Sequence, residues 1–166
     1  PKTKQTELVD LPKAGKRAEW EPPVLYGLDV NPTDGSVWYS KLYADRIGRI
    51  DAKTREVREF DVPLVGPRRM RFGRDGMLWI PAFGDGTLVA FHPRWRVALD
   101  YVRDASGKKV VIDGLWGLQF GNGASLGEAN HMYFAAGPEK ETQGLFGKLQ
   151  ANPKTLPILA GVSLCK

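Results

Sequence analysis

The chain says one thing three times. A Gly- or Met-centred apolar triplet, a turn, an aromatic-bearing strand and a further short apolar strand recur along its 166 residues. The first copy reads Tyr26-Gly27-Leu28-Asp29-Val30, a turn from Asn31 to Gly35, Val37-Trp38-Tyr39, then Ile47-Gly48-Arg49-Ile50-Asp51. The second reads Arg69-Met70-Arg71-Phe72, the turn Gly73-Arg74-Asp75-Gly76, Leu78-Trp79-Ile80, then Thr87-Leu88-Val89-Ala90-Phe91. The third reads Trp116-Gly117-Leu118-Gln119-Phe120, a longer turn from Gly121 to Asn130, His131-Met132-Tyr133-Phe134, then Leu145-Phe146-Gly147-Lys148-Leu149. With Gly27, Met70 and Gly117 taken as equivalent, the copies lie 43 and 47 residues apart (27 to 70, 70 to 117). A period in the forties with several short strands per unit is the signature of a propeller blade.

Each piece has a local reason for its form. Leu28 with Val30, and Met70 with Phe72, put apolar side chains on one face at every second residue, and Asp34-Gly35 and Asp75-Gly76 suit tight reversals. No stretch has helical periodicity, and the 12 prolines and 19 glycines fall mainly between the strands. Val57 to Pro63 reads as a fourth, outer strand, and Glu7-Leu8-Val9-Asp10-Leu11-Pro12 has the same cast. The expected architecture is therefore an all-β propeller of about three four-stranded blades, near 22–63, 64–104 and 110–162. Residues 1–12 add an outer latch strand to a blade elsewhere in the ring. Three wedge-shaped sheets do not close a circle, so the expectation is either a piece of a larger propeller or a ring completed by a second copy, with a homodimer of six blades favoured.

Charge narrows the partners. The net charge is +5, with positive residues at Lys2, Lys4, Lys13, Lys16 and Arg17, at Arg68, Arg69 and Arg71, and at Arg94 and Arg96. Glu7, Asp10, Glu19 and Glu21 interrupt the first group and no nucleic-acid motif is present, so a solvated basic surface is expected rather than a nucleic-acid partner. Cys165 is the single cysteine and has no intrachain partner. No apolar run approaches the length of a membrane span. A start at Pro1 fits a processed secreted protein and an excised piece equally; the compartment expected is the bacterial periplasm or the exterior.

The segment from Tyr26 to Pro93 resembles the streptogramin lyase (virginiamycin B lyase) group of propellers. The resemblance rests on Gly27-Leu28, Asp34-Gly35, Trp38-Tyr39-Ser40 and Ile47-Gly48-Arg49-Ile50. From Phe83 onward the chain is similar to a second, uncharacterised group of bacterial propellers, through Phe83-Gly84-Asp85-Gly86-Thr87, Arg103 to Lys108, Ile112 to Leu118 and Phe134 to Glu139. The resemblance to the lyases implies an elimination by a histidine base beside a glutamate-held divalent metal. The positions where that family carries its inner-strand histidine hold Tyr26, Arg69 and Trp116 here. After Trp38-Tyr39-Ser40 come Lys41-Leu42-Tyr43, and the second copy has Pro81-Ala82-Phe83, so the lyase residues are absent from these copies.

The remaining chemistry is sparse. His92 reads as a turn residue, and Glu128 with His131 is too small a set for a metal. Glu139 and Glu141, with Asp113, read as loop charges. No catalytic residue, metal or cofactor is expected. In a propeller the loops at one end converge on the channel, and the residues expected there are Tyr26, Lys41, Tyr43, Arg69, Phe83, Asp85, Trp116 and Glu139, a mixture of rings and fixed charges suited to a small polar ligand. The function expected is a non-enzymatic module binding a ligand or protein at the channel mouth. A lyase-like metal-dependent enzyme and a propeller fragment or chimera acting only as a scaffold are the alternatives.

Overall fold

The computed structural model describes residues 6–12 and 24–150, which form three antiparallel sheets. The first blade is a four-stranded meander of β1 (Leu25–Val30), β2 (Val37–Lys41), β3 (Arg46–Ile50) and β4 (Val57–Asp61). The second repeats it with β5 (Arg71–Phe72), β6 (Leu78–Pro81), β7 (Leu88–His92) and β8 (Val97–Tyr101). The third holds β9 (Leu115–Phe120), β10 (His131–Ala136) and β11 (Leu145–Gln150). This is a partial β-propeller, as the repeat predicts.

Turn chemistry explains the short reversals. Asp34 Oδ1 accepts the Ser36 amide at 2.9 Å, Asp85 Oδ1 the Thr87 amide at 3.1 Å and Asp104 Oδ1 the Ser106 amide at 2.8 Å. Each carboxylate stands in for the backbone acceptor a two-residue reversal lacks. The inner strands lie side by side through polar contacts. Asp29 on β1 accepts the Phe72 amide of β5 at 2.8 Å, Arg71 on β5 donates to Gln119 of β9 at 3.1 Å, and Arg69 bridges Gly117 in parallel.

Two apolar layers fill the gaps between blades. Trp38, Ile47 and Phe60 of the first blade meet Met70, Leu78, Ile80, Val89 and Phe91 of the second, with Trp38 stacked on Phe60 at 5.7 Å and edge-on to Phe91 at 5.7 Å. Trp79, Leu88 and Ala90, on the other face of β6 and β7, pack on Leu115, Leu118, Met132 and Leu149. The central blade is thus covered on both faces, which is why β6 and β7 read as continuous apolar runs rather than alternating ones.

The structure corrects one expectation, at the inner strand of the second blade, and describes only part of two others. The third sheet has three strands among the described residues; residues 151–162, assigned by sequence to the same blade, lie outside them, as do Lys2, Lys4, Lys13, Lys16, Arg17 and Cys165. Residues 6–12 form no strand. Glu7 pairs with Arg55 at 3.0 Å and the Pro12 carbonyl accepts Lys41 Nζ at 2.5 Å, so the segment lies against the first blade without a sheet edge to join. The inner strand of the second blade shrinks to Arg71–Phe72, because the Met70 amide turns back onto the Arg68 carbonyl at 3.0 Å and interrupts the ladder.

Candidate functional site

Strand direction gathers one set of loops. β1 and β9 begin, and β2, β6 and β10 end, at the same end of the molecule, so Tyr26, Arg68, Arg69 and Trp116 share it with the hairpins that follow Lys41, Pro81 and Ala136. Arg68 lies at the centre. Its residue is 8% exposed, yet its guanidinium carbon sits 3.5 Å from the Phe83 ring centroid and 4.7 Å from that of Tyr26. Arg69, exposed, approaches the Tyr26 ring from 5.2 Å.

Hydrogen bonds to Pro81 and Ser40 hold the Arg68 backbone in place. Its amide donates to the Pro81 carbonyl at 2.9 Å, and its own carbonyl accepts Ser40 Oγ at 2.7 Å. Ser40 Oγ in turn accepts the Gly27 amide at 2.9 Å, and a Cβ on Gly27 would stand 2.6 Å from the Arg68 oxygen. Only glycine allows β1 to approach so closely. At the tip of the side chain the partners are thinner. Arg68 Nη1 reaches Glu141 Oε1 at 3.4 Å, and Nε is buried with no hydrogen-bond partner among the described residues.

Glu141 is the hinge of this cluster. Its Oε1 also accepts Trp116 Nε1 at 2.6 Å, so one carboxylate bridges the indole and the guanidinium. It reaches them from a tight turn, Pro138–Glu141, in which Glu139 and Lys140 adopt left-handed backbone with φ of 54° and 57°. The Asp113 carboxylate braces that turn by accepting the Glu139 amide at 2.9 Å.

The cluster unites four of the residues expected from sequence, Tyr26, Arg69, Phe83 and Trp116, and leaves four out. Lys41 is 2% exposed and pairs with Glu59 at 2.5 Å, with Tyr39 donating to the same Glu59 oxygen at 2.8 Å. Its charge is compensated inside the first blade and is closed to an outside ligand. Asp85 accepts both the amide and the hydroxyl of Thr87 and holds a turn. Tyr43 and Glu139 contribute no side-chain contact to the Arg68 cluster. Arg68 and Glu141 take their place: the sequence marks the first only as part of a basic run and the second only as a loop charge. The proximity of Arg68 to Arg69 on an inner-strand approach was the available signal.

Both histidines sit at the opposite ends of their strands from Arg68. His92 stacks on Trp95 at 3.9 Å and its Nδ1 accepts the Trp95 amide at 3.2 Å, the turn role expected. His131 opens β10, buried beside Tyr133. That far end also holds a cleft of about 630 Å³ between the first two blades. Its charges largely cancel, since Arg49 lies 3.2 Å from Asp34 and 3.0 Å from Asp51, and Arg58 2.7 Å from Glu56. The amides of Thr54 and Lys53, then Arg49, hold the Asp51 carboxyl well below the usual range, whereas burial pushes Asp75 up. Among the described residues no three His, Cys, Asp or Glu side chains gather as a metal site.

With that geometry established, solved structures supply the comparison. The fold superposes on a proposed 6-phosphogluconolactonase from Bacteroides uniformis with a TM-score of 0.61 and 14% identity, covering 87% of this chain and 43% of that one. A proposed gluconolactonase gives 0.56 and 12%, over 95% and 53% of the two chains. Virginiamycin B lyase from Staphylococcus aureus, solved as an inactive variant with quinupristin, gives 0.52 and 18%, over 83% and 44%. The kinship is one of fold. No family model and no curated protein matches the sequence, so the lyase-like motifs mark propeller architecture and not a sequence family. The chain spans about half the length of the propellers it superposes on.

Proposed function

We propose that this chain is a non-enzymatic propeller module that binds a small anionic organic ligand at the loop end where Arg68 lies, in a ring completed by a second copy. The observation that carries the reading is Arg68 itself. A guanidinium that is nine-tenths buried, faced by two aromatic rings and with an Nε that has no partner among the described residues, favours an oxyanion: a carboxylate or phosphate offers the two oxygens its fork lacks, and an attached ring can lie against Tyr26 or Trp116. Arg69 adds a second positive charge at the rim. Neither histidine is near enough to serve as a base for chemistry on such a ligand, which favours binding over turnover.

Calorimetric titration with phenyl phosphate, and with phenol as its uncharged counterpart, tests the proposal. Saturable binding of phenyl phosphate that falls at least about tenfold in Arg68→Gln, an energy of about 1.4 kcal/mol, is the expected result. Equal affinity for the two probes, or an Arg68→Gln variant that binds as the parent does, overturns it.

A further inference from the structure

The ends of the blade array are mismatched with its middle in a specific way. In register, Trp38 on β2 corresponds to Trp79 on β6 and Tyr133 on β10, and Ile47 on β3 corresponds to Leu88 on β7 and Phe146 on β11, since Ser40 pairs Ile47, Pro81 pairs Leu88 and Ala135 pairs Phe146. Ile47 and Leu88 are 0% exposed because the next blade covers them; Phe146 is 74% exposed, with Tyr133 stacked on it at 6.0 Å. A shallow groove of about 230 Å³ runs beside this pair, lined by Trp116 and Gln119 as well. The opposite mismatch lies on the first blade. Leu78 and Phe91, fully covered in the second blade, correspond to Val37 and Ile50, which are only half-buried, and Leu28 beside them is 65% exposed.

Residues 6–12 show what belongs between these two faces. Val9-Asp10-Leu11-Pro12 matches Phe60-Asp61-Val62-Pro63, the end of β4 and the residues after it. The likeness extends to contacts. The Pro63 carbonyl accepts Tyr101 Oη of the following blade at 2.6 Å, and the Pro12 carbonyl accepts Lys41 Nζ of the first blade at 2.5 Å. Val9 and Leu11 are half-buried while Leu8 and Asp10 are exposed, a period of two without a ladder to go with it. The segment therefore lies against the first blade as an outer strand lies against the blade after its own, but its own blade is missing from the described residues. Meanwhile β11 has no strand on its outer edge among those residues.

We propose that a second copy of this chain supplies the missing blade: its Tyr133–Phe146 face packs on the Leu28–Ile50 face of the first copy, and residues 7–10 of the first copy extend its β11 as the fourth strand. The inference rests on the two-copy ring of the preceding subsection and adds how the copies join. The pairing of β3 with β4 sets the register, Ile47 opposite Phe60 and Arg46 opposite Asp61, so Val9 falls opposite Phe146 and Asp10 opposite Leu145. Two such junctions, related by a twofold axis along the channel, close the circle without leaving either sheet edge free.

The test uses the full chain carrying Cys165→Ser, first weighed by light scattering and then mixed as two single-cysteine variants, Asp10→Cys and Leu145→Cys. Both substituted side chains are solvent-exposed, which keeps the fold out of the result. The expected outcome is a mass of twice 18.4 kDa and an oxidised disulfide joining the two variants. Asp10→Cys mixed with Lys148→Cys serves as the off-register control; three residues along a strand is about 10 Å, beyond disulfide reach. A double-mass species that does not cross-link at Asp10 and Leu145, or that cross-links equally at Lys148, overturns the strand exchange and leaves the two-copy ring standing. A mass of 18.4 kDa at every concentration overturns both.

Discussion

The hydroxyl of Ser40 donates to the carbonyl oxygen of Arg68 at 2.7 Å, joining the second strand of one blade to the inner approach of the next. Ser40 is fully buried, and its Oγ also accepts the Gly27 amide, so removing the hydroxyl leaves the Gly27 amide and the Arg68 carbonyl without that partner in an apolar surrounding. Ser40→Ala is expected to lower stability by about 1–3 kcal/mol in urea denaturation and to weaken phenyl phosphate binding along with it. A variant as stable as the parent would show that water replaces the hydroxyl without loss.

Glu141 competes with a ligand for Arg68. Glu141→Gln keeps an acceptor for Trp116 but removes the negative charge 3.4 Å from the guanidinium. Phenyl phosphate should then bind roughly three- to tenfold more tightly, about 0.7–1.4 kcal/mol. Unchanged affinity in calorimetry would place Glu141 outside the ligand's reach.

Lys41 and Glu59 form a buried pair, and removing the lysine leaves Glu59 only the longer 3.6 Å contact with the part-exposed Arg46. Lys41→Met should cost about 3–5 kcal/mol, and Lys41→Met with Glu59→Leu much less, because two apolar side chains satisfy the same space without desolvating an ion. The comparison is read from paired denaturation curves; equal losses in the single and double variants would contradict it.

Tyr39 lies across Gly48, its cross-strand partner. A Cβ at Gly48 would stand 2.0 Å from Tyr39 Cζ, so Gly48→Ala is expected to cost about 1–3 kcal/mol by overpacking. Tyr39→Val in the same chain should recover part of that loss, and thermal denaturation of the single and double variants measures the coupling.

Asp51 is one of the carboxylates, with Asp34 and Asp100, that shape the acid limb of stability. Its folded pKa is depressed, first by the Thr54 and Lys53 amides and then by Arg49, from an unfolded value of 3.8. The stabilisation is complete above 3.8 and disappears as pH falls from there through the folded value. The Tm difference between the parent and Asp51→Asn should accordingly be largest near neutrality and shrink toward about pH 2; a difference independent of pH would assign the effect to lost turn geometry alone.

The blade repeat was legible because strand alternation, Asp-Gly turns and buried tryptophans are local signals. The outer strand β4 runs into the alternation Phe60-Asp61-Val62 and could be read in the same way, whereas β8 is harder to see: Val97-Ala98-Leu99-Asp100-Tyr101 carries the apolar run Val97-Ala98-Leu99 in place of alternation. The candidate site was half legible. Tyr26, Phe83, Arg69 and Trp116 stand at strand ends, a place that spacing predicts, so they were found. Lys41 stands at an equivalent place and was expected with them, yet it turns to the face of the sheet where Glu59 lies.

That difference marks the boundary between the two kinds of information. Most strands, the turns and their repetition are written locally, since each depends on residues within a few positions of one another. Which charges are compensated and which remain available is a tertiary matter: Lys41 and Glu59 are 18 residues apart and meet through the meander of one sheet, and Arg68 and Glu141 are 73 apart and meet through the stacking of blades. Over such separations the energy of a charge depends on burial and on its partner, neither of which a local pattern contains.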